Sequence, residues 1–283
     1  MKKLILTLAL ALGLASIVSA QTTYPISGHV SSDTAGSVAM LIKYVGTAAP
    51  SATTDVAVAA GGDMTFRVAG VASTTVNSAA VCGAVVGTLD LSTPAATCDT
   101  FGEVVDVINA TSDWRAVLVG ALRTDSPDNT LTTFAVASAM RADGIALYFD
   151  SAVSLTTSIA MVPDNCRTDI RCWMSPQGKL KENPSGGTQT QVNWIEGFAT
   201  YATTGTFNIY SVKESNKAGT GASVITTLYT EATGASGTNE QLTQFQNSPL
   251  LGKPHEKVIV RITTTGASSA FNLHAYGFRK QIQ

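Results

Sequence analysis

The chain has 283 residues, a net charge of −2 and 13% charged residues, about half the charged share of an ordinary soluble domain. The length allows one large β domain or two smaller ones. The near-neutral balance, with no basic patch and no interleaving of basic and aromatic residues, excludes a nucleic-acid binder. Threonine is as frequent as Lys, Arg, Asp and Glu together. Such uncharged, Thr-rich surfaces suit pleated sheets and chains that pack against copies of themselves, where charge repulsion would cost energy.

In chain order, residues 1–20 read first as an export signal. Lys2 and Lys3 form a positive start, Leu4 to Val18 is mostly apolar, and Val18, Ser19 and Ala20 place small residues before Gln21. No later apolar run is long enough to span a bilayer, so no membrane span is expected once the signal is removed. A strand–turn–strand pattern follows. Val38 to Val45 is apolar between Gly36 and Gly46, and Thr54 to Ala59 and Met64 to Val68 alternate around Gly61-Gly62-Asp63, a hairpin signature. Leu41, Val56, Val58, Phe66 and Val68 are the expected core positions.

Thr100 and Glu103 have capping-box spacing. Val104, Val105 and Ile108 then form one apolar face, and Asn109 is expected to close this short helix. Asp113 to Val119 reads as a buried strand anchored by Trp114. Further strands are expected over Thr132 to Val136, Ile145 to Phe149 and Ser158 to Val162, with a turn at Asp143-Gly144. Lys179 to Gln189 is polar and rich in Gly and Pro, hence a linker or long loop. Beyond it, strands are expected over Val192 to Thr200, Thr206 to Val212, Ser223 to Tyr229, Leu242 to Phe245, Lys257 to Thr263 and Ala270 to Phe278, with a low-complexity stretch from Thr230 to Asn239. Phe207, Ile209 and Val212 are expected core. Val258, Val260 and Ile262 share one face of their strand. In the last strand Asn272, His274, Tyr276 and Phe278 share the face opposite Phe271, Leu273, Ala275 and Gly277.

Short strands joined by small polar turns predict a mainly β chain, an antiparallel β-sandwich of jelly-roll type with one short helix in the N-terminal half. The expected divisions are 1–20 as signal, 21–165 as a β-rich domain with the helix, 166–189 as a disulfide loop and linker, and 190–283 as an antiparallel sandwich.

The cysteines are Cys82, Cys98, Cys166 and Cys172. Export implies an oxidising compartment, where an even count points to disulfides. Three pairings are open. The local one, Cys82 with Cys98 and Cys166 with Cys172, is the simplest. Zinc is disfavoured because no CxxC occurs and His29, His255 and His274 are scattered.

Catalytic patterns are missing from the sequence. No GxSxG elbow occurs, and His255-Glu256 lacks the second histidine of HExxH. Asp143, Asp150, Asp164, Asp169, Glu182, Glu196 and Glu231 show no paired spacing of the kind a glycosidase needs. Asp164 to Asp169 lacks the glycine and closing glutamate of an EF-hand loop. No enzyme activity, cofactor or metal is expected. Trp173, Trp194, Tyr201 and Tyr276 are candidate ligand-stacking rings, since a flat row of aromatics in a sheet would suit a sugar. Asn109-Ala110-Thr111 fits an N-glycosylation sequon, but the signal is of bacterial type and the match is read as chance.

Thr100 to Asn109 followed by Asp113 to Ala116 resembles a segment of structural proteins from tailed-bacteriophage virions, where a short helix leads into a Trp-bearing strand. Val258 to Thr263 and Phe271 to Arg279 resemble the last strands of virion jelly rolls. The resemblance implies a non-enzymatic virion structural or assembly protein. The residues by themselves allow an exported structural protein of the cell exterior, with an exported carbohydrate-binding or adhesion module as the alternative. The expected partners are other proteins or copies of the chain, or carbohydrate. The expected location is exported (periplasm, cell surface or extracellular) or virion.

Overall fold

The computed structural model describes residues 23–31, 37–48, 53–59, 62–76, 82, 86–91, 98–128, 130–150, 156–177, 179–181, 183–184, 186–200, 205–213, 223–232, 239–241, 245, 248–264 and 270–282. The expected signal at 1–20 and most of the strand expected over Leu242 to Phe245 lie outside them.

Eight strands build an antiparallel sandwich. In chain order they are β1 (Thr23–Ser31), β10 (Thr156–Ala160), β11 (Thr188–Thr200), β12 (Gly205–Lys213), β13 (Val224–Ala232), β14 (Asn239–Gln241), β16 (Lys257–Thr264) and β17 (Ala270–Gln281). One sheet has the order β1-β17-β11-β14, with the short β15 (Leu250–Leu251) also on β11; the other has the order β10-β16-β12-β13. Counted among themselves from one to eight, the sheets run 1-8-3-6 and 2-7-4-5, which is the jelly-roll winding. Ile26, Ile159, Val192, Ile195, Phe207, Ile209, Val258, Val260, Ile262 and Ala275 fill the space between them. Two strands from before residue 165, β1 and β10, thus stand in sheets whose other members all come from beyond residue 187.

The chain between β1 and β10 forms an inserted unit. Its first sheet is β7-β2-β9, from Trp114–Leu118, Val38–Tyr44 and Ile145–Tyr148. Its second is β5-β4-β3-β8, from Val71–Ala72, Met64–Val68, Asp55–Val58 and Phe134–Ser138, with β6 (Thr88–Leu89) also on β4. The Gly62-Asp63 turn joins β3 to β4 as the pattern required, with Gly62 at φ +97°, a conformation that glycine adopts freely. The helix α1 (Phe101–Ala110) packs Phe101, Val104, Val105 and Ile108 into the same core. Its capping box is formed: Thr100 Oγ1 accepts from Glu103 N–H, and the Glu103 carboxylate accepts from Thr100 N–H. Asn109 does not close the helix. It holds both backbone groups of Ala116, so its side chain pins the helix to β7. Trp114 sits at the centre of this core with Tyr44 and Phe66 edge-on against it.

The strand over Val38–Tyr44 reads as a continuous apolar run because both faces are covered. Met40, Ile42 and Tyr44 face the helix side, and Leu41 faces Val117, Ile170 and Trp173. Two expected strands are displaced by two residues: Thr132–Val136 is observed as Phe134–Ser138, and Ser158–Val162 as Thr156–Ala160. Val212 does not join the sandwich interior. It lies on the outer side of its sheet against Leu122 and Ile259.

A bulge at Val192/Trp194 on β11 lies opposite Gly277 of β17. A methyl group at Gly277 would strike the carbonyl oxygen of Gln191, which a paired strand cannot withdraw. Gly277→Ala is therefore expected to cost about 3 kcal/mol, read as a fall in thermal midpoint of about 6 °C or more. An unchanged midpoint would contradict this packing.

Candidate functional site

The two outer faces of the sandwich differ. On the sheet β10-β16-β12-β13 the inserted unit covers the outer face of β10, β16 and β12. Lys257, 1% exposed, donates from Nζ to the carbonyls of Leu118 (2.8 Å) and Val119 (3.1 Å) and lies over the Trp173 ring. Arg261 pairs with Asp125 at 2.8 Å, and Ser158 Oγ donates to Gly120 O at 2.6 Å. Arg123, beside this seam, pairs with Asp106 of the helix.

The outer face of the other sheet carries no such cover among the described residues. Alternation along β17 sends Ala275 and Gly277 inward and leaves His274 and Tyr276 partly exposed and Phe278 37% exposed. His274 and Tyr276 are parallel, with centroids 6.1 Å apart and 10° between planes. Register adds neighbours: Pro25 and Gln191 flank Phe278, Leu251 follows Gln191, and Ser27 flanks Tyr276. Pro25 and Leu251 are exposed. An open cleft of about 480 Å³ lies beside this row, lined by Pro25, Ser27, Pro163, Asp164, Tyr276 and Phe278 among others.

Pro163 and Asp164 on the far wall of the cleft open the first of two 3-10 turns, Asp164–Arg167 and Ile170–Trp173, which the Cys166–Cys172 disulfide ties together. Arg167 reaches the backbone carbonyl of Ser27 on the sheet edge and pairs with Asp164 at 3.0 Å. Burial pulls the Arg167 guanidinium below its usual range, with Asp164 acting in the opposite sense. Arg279 lies over the Tyr24 ring at 5.9 Å, and burial lowers its pKa also. Asp169 accepts from Arg171 Nε (2.9 Å) and from Arg171 N–H (2.8 Å), capping the second turn. Those bonds hold its carboxyl below the usual carboxylate range.

The sequence candidates fall as follows. Cys82 is joined to Cys98 and Cys166 to Cys172, the local pairing. Trp173 is no stacking surface: it is 1% exposed, and its indole N–H donates to Cys166 O at 2.8 Å. The short disulfide loop turns the ring inward, where Lys257 covers it. Trp194 stands opposite Tyr276 in the register, its side chain lying outside the described residues. Tyr201 lies outside them entirely. Tyr276 is on the open row. No local sequence signal marks Phe278 and Pro25 as ligand-stacking residues, although alternation along the last strand puts Phe278 on the face of Tyr276. Among the described residues no group of three His, Cys, Asp or Glu side chains is placed to hold a metal. His255 sits at φ 65° in a turn, not on a helix.

The Asp169 cap has a signed pH dependence. A depressed folded-state pKa contributes stability above the unfolded value of about 4, and that contribution is lost as pH falls through the lowered pKa. Asn keeps an acceptor for Arg171 N–H but not the charge. Asp169→Asn should therefore be less stable than the parent near pH 7, with the gap closing below about pH 4. A gap independent of pH, measured by denaturant midpoints, would contradict the assignment.

No family model matches the chain, and no curated protein matches it. Among solved structures, one of T=1 particles derived from infectious bursal virus is aligned over 93% of this chain and 78% of that chain, at 10% identity and a TM-score of 0.12. A likeness of that size carries no argument, and the fold assignment rests on the strand order alone.

Proposed function

We propose that this chain is a non-enzymatic structural protein of a cell exterior or a virion, in which a jelly roll acts as scaffold for protein packing. The observation that carries the reading is the asymmetry of the sandwich. One sheet is covered over β10, β16 and β12 by the chain's own inserted unit, with β13 left partly exposed, and the other presents Pro25, Phe278 and Leu251 to the outside. Exposed apolar side chains gathered on one rigid face are the usual mark of an interaction surface. The 13% charged content supports close packing between molecules, because little charge must be desolvated. Two disulfides fit an oxidising location.

The full chain should associate into defined oligomers or particles with rising concentration, followed by sedimentation velocity and negative-stain electron microscopy. It should turn over none of a panel of ester, peptide and glycoside substrates. A strict monomer at all concentrations, or a turnover abolished by His255→Ala or His274→Ala with the fold intact, would remove the reading.

A further inference from the structure

The open face has the chemistry of a ring-stacking site. Its row His274, Tyr276 and Phe278 runs down one side of a single strand, about 13 Å from first to last at two-residue steps. A row of that length suits a chain of several flat units. Beside the row, the exposed Ser27 side chain and the Asp164 carboxylate bring polar groups to the same cleft. The Asp164 side chain is 75% exposed, so it can accept hydrogen bonds from hydroxyls.

Charge narrows the ligand. Asp164 is paired with Arg167, and Arg279 is engaged with Tyr24. Of the lining charges, Arg279 is balanced by Asp164, so the cleft presents no cluster of cations for a phosphate, sulfate or uronate. A polyanion would also meet the exposed Asp164 carboxylate. A neutral ligand with apolar ring faces and peripheral hydroxyls satisfies both halves of the lining: C–H faces lie on aromatic rings, and hydroxyls meet the Asp164 carboxylate and the Ser27 hydroxyl.

We propose that the outer face of the sheet β1-β17-β11-β14, centred on Tyr276 and Phe278 and its adjoining cleft, binds a neutral oligosaccharide chain. The proposal rests on the reading of the chain as a non-catalytic exterior protein and gives its open face to a sugar, so that packing between copies of the chain then uses its other surfaces. Tyr276 and Phe278 supply the stacking surface. Pro25 walls one side of the row and Asp164 supplies a hydroxyl acceptor. Nothing in the cleft is assigned a bond-breaking role.

The test uses the full chain with three neutral probes, cellohexaose, maltohexaose and hexa-N-acetylchitohexaose, by titration calorimetry and ligand-observed NMR. At least one should bind at millimolar or lower concentration. Phe278→Ala and Tyr276→Ala should each weaken that binding about tenfold, while Val71→Ala, exposed on the inserted unit, should leave it unchanged. Phe278→Leu keeps apolar bulk but removes the ring, so it separates lost stacking from lost folding, and circular dichroism melts report the fold for every variant. Failure of all three probes to bind overturns the proposal. So does binding indifferent to Tyr276 and Phe278. So does a change of oligomeric state in Phe278→Ala without sugar binding, which would give the face to a second copy of the chain. Assembly without sugar binding leaves the structural reading standing and removes this one. Sugar cleavage, seen by chromatography, would remove the non-catalytic reading while keeping the site.

Discussion

The architecture depends on one buried ammonium. Placing an unpaired charge in a protein interior costs many kcal/mol, so Lys257 can be 1% exposed only where its protons are met. They are met by carbonyls at the end of β7, a strand of the inserted unit, with the Trp173 ring below. The contact ties the sandwich to the insertion at one point and in one orientation. Around it, Leu122 seats against Val212 and Ile259, and Arg261 finds Asp125. Gly120 lies so close to Val38 O and Ser158 that a Cβ would fall 2.7 Å from the first. The seam is therefore close-packed as well as polar, and a buried polar seam fixes orientation more strictly than an apolar one, since displaced partners are left unpaired.

That seam also explains which parts of the fold were legible in the sequence. Local signals were readable because their physics is local. The capping box at Thr100 and Glu103, the Gly62-Asp63 hairpin and the alternation of Val258, Val260 and Ile262 each arise within a few residues. In β16, alternation with Lys257 and Arg261 reads as one buried and one wet face. Both faces are buried, because long cationic side chains can be covered when carbonyls and a carboxylate wait for them. Trp173 is buried for the related reason that Lys257, which lies over it, comes from a distant strand that nothing within its own segment reveals.

Strand partnership was the least legible layer. Alternation tells which face of a strand is buried but not against what. Thr23 pairs with Lys280 and Thr156 with Thr263, pairings that no local pattern encodes. An insertion between the first and second strands of a jelly roll therefore looks, in sequence, like a separate N-terminal domain. The candidate site suffered in the same way. His274, Tyr276 and Phe278 share a face by simple alternation, whereas Pro25 and Asp164 reach them only through the winding of the whole chain.

The same small loop serves both sides of the molecule. Cys166–Cys172 closes the two 3-10 turns, Trp173 at one end lies beneath Lys257, and Asp164 and Arg167 at the other meet β1 beside the open row. The disulfide removes conformations chiefly from the unfolded chain, but in the folded chain it also couples two surfaces that share no strand. The seat of the inserted unit and the wall of the cleft are consequently one structural element. Asp164 and Arg167, which border the open face, are thus positioned by the same disulfide-closed loop that places Trp173 under Lys257 on the opposite sheet.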